Sequence, residues 1–187
     1  MPQKIYIDQG HNPVNPNAGA EGNGYREQDL VYEIGQRLAE ILRGDGFSVR
    51  LSRPFPDTQL GSSTANSLAA RVNDANSWGA DYFLSLHTNA SASPNAAGSE
   101  AYVFQLDTDA AILATSILTE LQRVTGLPDR GVMARPTLYV LRRTRMPAVL
   151  LELGFITNPY EAELMATQPG LFAYGIANGL LAYLGLL

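Results

Sequence analysis

Apolar runs of strand length alternate along this chain with stretches of helical periodicity, and that alternation restricts the fold more than any other property of the sequence. Residues 4–8, 47–51, 81–86, 100–104, 138–141 and 148–151 read as strands. Between them, apolar residues recur at helical spacing over about 27–43, 67–78, 109–125 and 170–184. In the first of these, Leu30, Ile34, Leu38, Ile41 and Leu42 mark one face. Gly44-Asp45-Gly46 and Gly126 supply stops. Asn158-Pro159-Tyr160-Glu161 reads as a further helix start, with a capping Asn, Pro at the first helical position and Glu three residues on. Strands separated by helices are joined by crossovers, not hairpins. The expected fold is therefore α/β: a single domain with a twisted, mostly parallel sheet of about six strands, flanked by helices on both faces. The 187 residues suffice for one such core, and no internal repeat marks a second unit.

In an open α/β sheet, ligands bind beyond the carboxyl ends of the strands. The only two histidines stand there: His11 follows the strand at 4–8, and His87 follows the strand at 81–86. A carboxylate, Glu152, ends the apolar run Ala148-Val149-Leu150-Leu151. The chain has no cysteine, so disulfides and thiolate metal sites are excluded, and any zinc must take nitrogen and oxygen ligands. A catalytic zinc uses three protein ligands and keeps a fourth position open. Glu27, at the start of the first helix, is the best third ligand. Glu21, inside the Gly/Asn/Pro-rich loop at 10–24, is its rival. A buried carboxylate without a partner is costly, so Glu152 needs a partner or a task. Beside an activated water it can act as general base. Such a set suits metal-assisted hydrolysis of an amide.

Each residue also has a simpler reading. Either histidine alone is more often a hydrogen-bonded structural group. Glu27 can serve the helix dipole, and Glu152 can pair with Arg142, Arg143 or Arg145. Asp8 either orients a ligand imidazole or ends its strand. Asn89 either contacts substrate or ligand, or closes a turn. Arg71 and Asn158 read as structural, Trp78 and Leu138–Val140 as packing residues, and the small, polar stretch 90–98 as a mobile loop beside the site.

Composition narrows the partners. Hydrophobic residues make up 45% and charged residues 17%, as in ordinary globular proteins. A net charge of −5 argues against nucleic-acid binding and gives no pull toward an anionic membrane. Met1-Pro2-Gln3-Lys4 leads into the first strand without the apolar core of a signal peptide, and Leu171–Leu187 is too short and mixed for a membrane span.

Four segments carry a family resemblance. They are Ile7-Asp8-Gln9-Gly10-His11; Gly24-Tyr25-Arg26-Glu27; the block from Arg71-Val72-Asn73-Asp74-Ala75-Asn76 through Ala80-Asp81 to Ser85-Leu86-His87-Thr88-Asn89-Ala90; and Pro147-Ala148-Val149-Leu150-Leu151-Glu152-Leu153-Gly154-Phe155-Ile156-Thr157-Asn158. In order and spacing the chain resembles the zinc-dependent N-acetylmuramoyl-L-alanine amidases, which include cell-wall and spore-wall hydrolases, autolysins and phage endolysins. The resemblance implies one Zn2+ per chain held by His11, Glu27 and His87, with Glu152 as the catalytic carboxylate. Asp8 and Asn89 remain candidates for supporting or substrate contacts. It also implies cleavage of peptidoglycan between N-acetylmuramic acid and the L-alanine of the stem peptide. The Arg142-Arg143-Thr144-Arg145 cluster is a solvated face or meets stem-peptide carboxylates. One departure is Asp8-Gln9-Gly10-His11-Asn12-Pro13, where members often carry D-P-G-H-G-G; it leaves the ligand and alters the loop after it. The expectation is a monomeric catalytic domain over 1–187, without a separate wall-binding domain or membrane insertion. It would act on the wall either after release from the cytoplasm or as part of a longer secreted protein. The alternatives are a zinc peptidase cutting within the stem peptide and a non-catalytic wall-binding module.

Overall fold

The structure, a computed structural model, describes residues 2–187. In chain order the elements are β1 (Lys4–Gln9), β2 (Glu21–Gly22), β3 (Tyr25–Arg26), α1 (Glu27–Gly44), β4 (Ser48–Leu51), α2 (Thr64–Trp78), β5 (Tyr82–Asn89), β6 (Ser99–Val103), α3 (Asp109–Thr125), β7 (Asp129–Ala134), α4 (Tyr139–Arg143), β8 (Ala148–Phe155), α5 (Pro159–Thr167) and α6 (Pro169–Tyr183). Six strands form one sheet in the order β4-β1-β5-β8-β6-β7, while β2 and β3 make a small separate hairpin. β4, β1, β5 and β8 are mutually parallel; β6 runs antiparallel to β8, and β7 runs parallel to β6. The mostly parallel, six-stranded α/β sheet expected from the alternation is present.

Side chains alternate across the sheet with period two. Ile5, Ile7, Leu84, Leu86, Val149 and Leu151 face the larger core, where α1, α3 and α6 pack. Tyr6, Phe83, Ala148 and Leu150 face the smaller core under α2 and α4. Asp8, Ser85, His87 and Glu152 follow this second set in phase, so the polar strand ends project on the α2/α4 side. The apolar α6 is explained by burial between α3 and α1, where Gly175 and Gly179 let the α3 backbone approach. No helix among the described residues is long and apolar enough to cross a membrane.

The capping signals hold. Asn158 accepts from the amides of Tyr160 and Glu161, Ser63 and Thr108 cap α2 and α3, and Gly126 closes α3 in the left-handed region. Glu161, however, does not complete a capping box. It accepts from Gly98 N at 2.6 Å and Phe155 N at 2.7 Å instead, tying the loop before β6 to the end of β8. Residues 90–98 are pinned further by Ser91 N to Thr157 Oγ1 and Asn158 Nδ2 to Ala96 O.

Two expectations fail. Leu138–Leu141 is not a strand: Tyr139–Arg143 is a short helix whose terminal carbonyl at Arg143 accepts from Asn76 Nδ2. A four-residue apolar run has no distinguishable period, and docking on α2 and β8 decides it. The edge strand β7 was not expected, because Arg130 and Gly131 interrupt any strand pattern.

Candidate active site

At the carboxyl end of β1 the chain turns sharply, and His11 takes a left-handed conformation with φ of 65°. Such backbone costs about 1–3 kcal/mol unless its surroundings hold it. Arg71 does so by donating from Nη2 to the His11 carbonyl, while Gly10 N donates to Leu86 O at 3.0 Å. Arg71 is fully buried; its Nη1 also donates to Asp8 Oδ1 and to Gln9 O, each at 2.6 Å. Ser85 Oγ donates to the other Asp8 oxygen at 2.8 Å. Burial opposes ionisation of Asp8, but the Arg71 guanidinium prevails and holds its carboxyl below the usual range. Asp8 therefore makes no hydrogen bond to an imidazole. It anchors the arginine that shapes the His11 turn.

Three donor atoms converge above this turn. Glu27 Oε1 lies 3.1 Å from His11 Nε2 and 3.0 Å from His87 Nδ1, and the two ring nitrogens are 3.2 Å apart. His11, Glu27 and His87 thus form a group able to hold a metal ion. Four ligands at zinc bond lengths of 2.0–2.1 Å define a tetrahedron with edges of ~3.3 Å, close to the spacing seen here. Glu27 is oriented by backbone donors: Thr88 N to Oε1 at 3.0 Å and Ala20 N to Oε2 at 2.9 Å. Against the effect of burial, hydrogen bonds from both histidines keep the Glu27 carboxyl well below the ordinary range. The rival Glu21 is exposed in the β2–β3 hairpin and outside the group. Two glycines clear the space. A Cβ on Gly10 would stand 2.5 Å from His87 Cε1, and one on Gly19 would stand 2.7 Å from Glu27 Oε2 and 2.9 Å from His11 Cδ2. Their sequence signal was only that of loop punctuation.

Glu152 is the register partner of His87 on the neighbouring strand. Its Oε2 is buried and has no hydrogen-bond partner among the described residues. Burial pushes its carboxyl up to about 7, with Glu27 and Glu100 adding to the rise and His87 opposing it. No arginine pairs with it. Arg142 and Arg145 instead line a cavity of about 430 Å³ with Phe104, Thr108, Met146 and Ala148, at the opposite end of β8. A smaller cavity of about 130 Å³ lies beside the two histidines and is walled by Leu68, Leu138, Tyr139 and Leu150. The expectation that Leu138–Val140 only pack in a core thus omits their position at the site.

The Asn89 side chain makes no hydrogen bond to either imidazole, and its Oδ1 accepts from Ala90 N at 2.9 Å. Its Nδ2 donates to Glu100 Oε1 at 2.8 Å. Glu100 is buried, also accepts from Tyr102 OH and, through Oε2, from Arg130 Nε at 2.7 Å. Glu100 is the antiparallel partner of Glu152, so His87, Glu152 and Glu100 stand in a row across three adjacent strands. Glu100 and Arg130 were not among the expected site residues. The one available signal was a carboxylate amid the strand Ser99-Glu100-Ala101-Tyr102-Val103.

The comparisons with known proteins agree with one another. The family profile for N-acetylmuramoyl-L-alanine amidase matches residues 5–182. The sporulation-specific N-acetylmuramoyl-L-alanine amidase of Bacillus subtilis is 37% identical over 95% of this chain and 66% of its own length. The endolysin of Bacillus phage SPP1 is 34% identical over 100% of this chain and 68% of its own. The chain thus spans about two thirds of these relatives. The catalytic domain of CwlV, an N-acetylmuramoyl-L-alanine amidase from Bacillus (Paenibacillus) polymyxa var. colistinus, superposes with a TM-score of 0.85 at 30% identity, covering 99% of both chains. With a matching profile over nearly its whole length and a shared fold, this chain belongs to the N-acetylmuramoyl-L-alanine amidase family.

Proposed function

We propose that this chain is a zinc-dependent peptidoglycan amidase that hydrolyses the bond between N-acetylmuramic acid and the L-alanine of the stem peptide. The observation that carries the reading is the approach of His11 Nε2, His87 Nδ1 and Glu27 Oε1 to 3.0–3.2 Å beside the unpartnered Glu152. The three would hold one zinc. When bound, that ion polarises the scissile carbonyl and makes water a better nucleophile near neutral pH.

The chain's own residues supply the rest. Glu152, with its carboxyl near 7, accepts the proton of the attacking water and returns it to the departing alanine amine. Its Oε2 has no fixed hydrogen-bond partner that would compete for that proton. The cavity walled by Leu68, Leu138 and Tyr139 gives the reacting group an apolar flank that excludes bulk water. Residues 1–187 act in this reading as one monomeric catalytic domain at the cell wall.

Mass spectrometry of products from purified peptidoglycan, with zinc and with chelator, tests the proposal. Chelator-sensitive release of intact stem peptides with a free alanine amino terminus is expected. Glu152→Gln should lower the rate by about 10²–10⁴ while metal binding persists. Fragmented stem peptides would identify a peptidase instead, and saturable wall binding without cleavage would identify a binding module.

A further inference from the structure

Beyond Glu152 the sheet continues for two more strands, and its rim there carries a charge that hydrolysis does not use. Arg130 opens β7 beside Glu100. Its guanidinium is held on three sides. Nε donates to Glu100 Oε2 at 2.7 Å, Nη1 reaches Ala97 O at 3.3 Å, and the group lies 5.1 Å from the centre of the Phe155 ring. Nη2 has no partner among the described residues, and the side chain is 42% exposed. Glu100 is itself fixed by Asn89 and Tyr102. A buried, fully engaged carboxylate thus aims an arginine whose outer edge faces solvent.

We propose that Arg130 is a specificity-determining residue that binds a carboxylate of the stem peptide, the free α-carboxyl of its second residue. The inference rests on the amidase reading above and names the substrate group read by that same site. Strands lie ~4.8 Å apart, so β7 stands about 10 Å from β8 and its Glu152. An extended peptide advances ~3.3–3.6 Å per residue. From His87 on β5 the distance is about 14 Å, so a peptide that runs from the scissile bond toward β7 would bring its second residue, ~7 Å on, within reach of the extended Arg130 side chain. In peptidoglycan that residue is a glutamate linked through its side chain, which leaves its α-carboxyl free or amidated. Arginine presents a planar fork suited to a carboxylate, and it discriminates against an uncharged amide. The Arg142–Arg145 cluster cannot serve this purpose. It flanks the start of β8, four residues and therefore ~13 Å before Glu152.

The test uses zinc-loaded protein and two synthetic substrates, N-acetylmuramoyl-L-alanyl-γ-D-glutamyl-L-lysinamide and its glutamate α-amide, in which the γ-carboxyl is bonded and only the α-carboxyl differs. The wild type should favour the acid by about tenfold in kcat/KM, with the difference in KM. The preference should shrink as salt is raised. Arg130→Gln should bring the acid-to-amide ratio close to one, and Arg130→Lys should restore part of it. Equal use of acid and amide by the wild type, or a ratio unchanged in Arg130→Gln, would overturn the proposal, and the wild-type comparison holds even if a variant folds poorly. Cleavage of neither compound would instead count against the amidase reading. In that case calorimetric binding of L-alanyl-γ-D-glutamyl-L-lysinamide by the wild type, tighter than its glutamate α-amide and weakened in Arg130→Gln, would still support the carboxylate subsite, and its absence would end it.

Discussion

Asp8 and Arg71 show how a motif residue can matter without touching the reaction. Both are buried, and Arg71 links Asp8 to the carbonyl of His11. Removing one partner of such a pair leaves a buried charge unmatched. Asp8→Asn should therefore cost about 3–5 kcal/mol, read from the urea midpoint at pH 7. The pH dependence follows from the depressed Asp8 carboxyl. Its contribution is complete above the unfolded-state value of ~3.9 and is lost as the pH falls through the lower folded-state value. Between pH 7 and 3 the wild-type midpoint should fall more steeply than that of Asp8→Asn. Parallel curves would mean that the pair does not carry the linkage. Gly10 acts nearby through close approach: Gly10→Ala would drive a methyl into the His87 ring. We expect at least about tenfold weaker zinc binding by competition with a chromophoric chelator, corresponding to ~1.4 kcal/mol. The candidate ligands His11, Glu27 and His87 were legible because chemistry restricts metal ligands to few residue types. Arg71 and Gly10 were not, since arginines and glycines have many structural uses and only packing singles these out.

At the scale of elements, long periodic segments were readable and short ones were not. α1 and α3 declare themselves through several turns of apolar spacing and clear stops. α4 and β7, of five and six residues, take their conformation from what they pack against. β7 mattered most, because it brings Arg130 to the rim. The α3–α6 pairing shows the same dependence on context. Gly179 was only an apolar-helix glycine in the sequence, yet a methyl there would collide with Ile117 Cα. Gly179→Ala should cost about 1–3 kcal/mol despite its better helix propensity, lowering the melting temperature by several degrees. A stabilised variant would show that the two helices can separate at no cost.

For the whole molecule, the metal group and the cores are separate sources of stability. The larger core lies on the face away from the polar strand ends and needs no metal to close. Chelator-treated protein should therefore stay folded. Zinc at a thousand times its Kd should add about 4 kcal/mol and raise the melting temperature by about 10 °C. A chain that loses its far-ultraviolet circular dichroism with chelator would contradict this. The reversal of β6 has a different consequence. Because β6 runs against β5 and β8, the connection at 90–98 begins and ends on the rim that carries His87 and Glu152. Ordinary crossovers must return to the far edge of the sheet, but this one need not. Its span is set by anchors at Ser91, Ala96 and Gly98. Lengthening such a tether adds only about 0.6 kcal/mol of closure entropy per doubling. Descendants of this chain, or a protein engineer, could thus rebuild the mouth of the site by insertion here, leaving the strands beneath it in register.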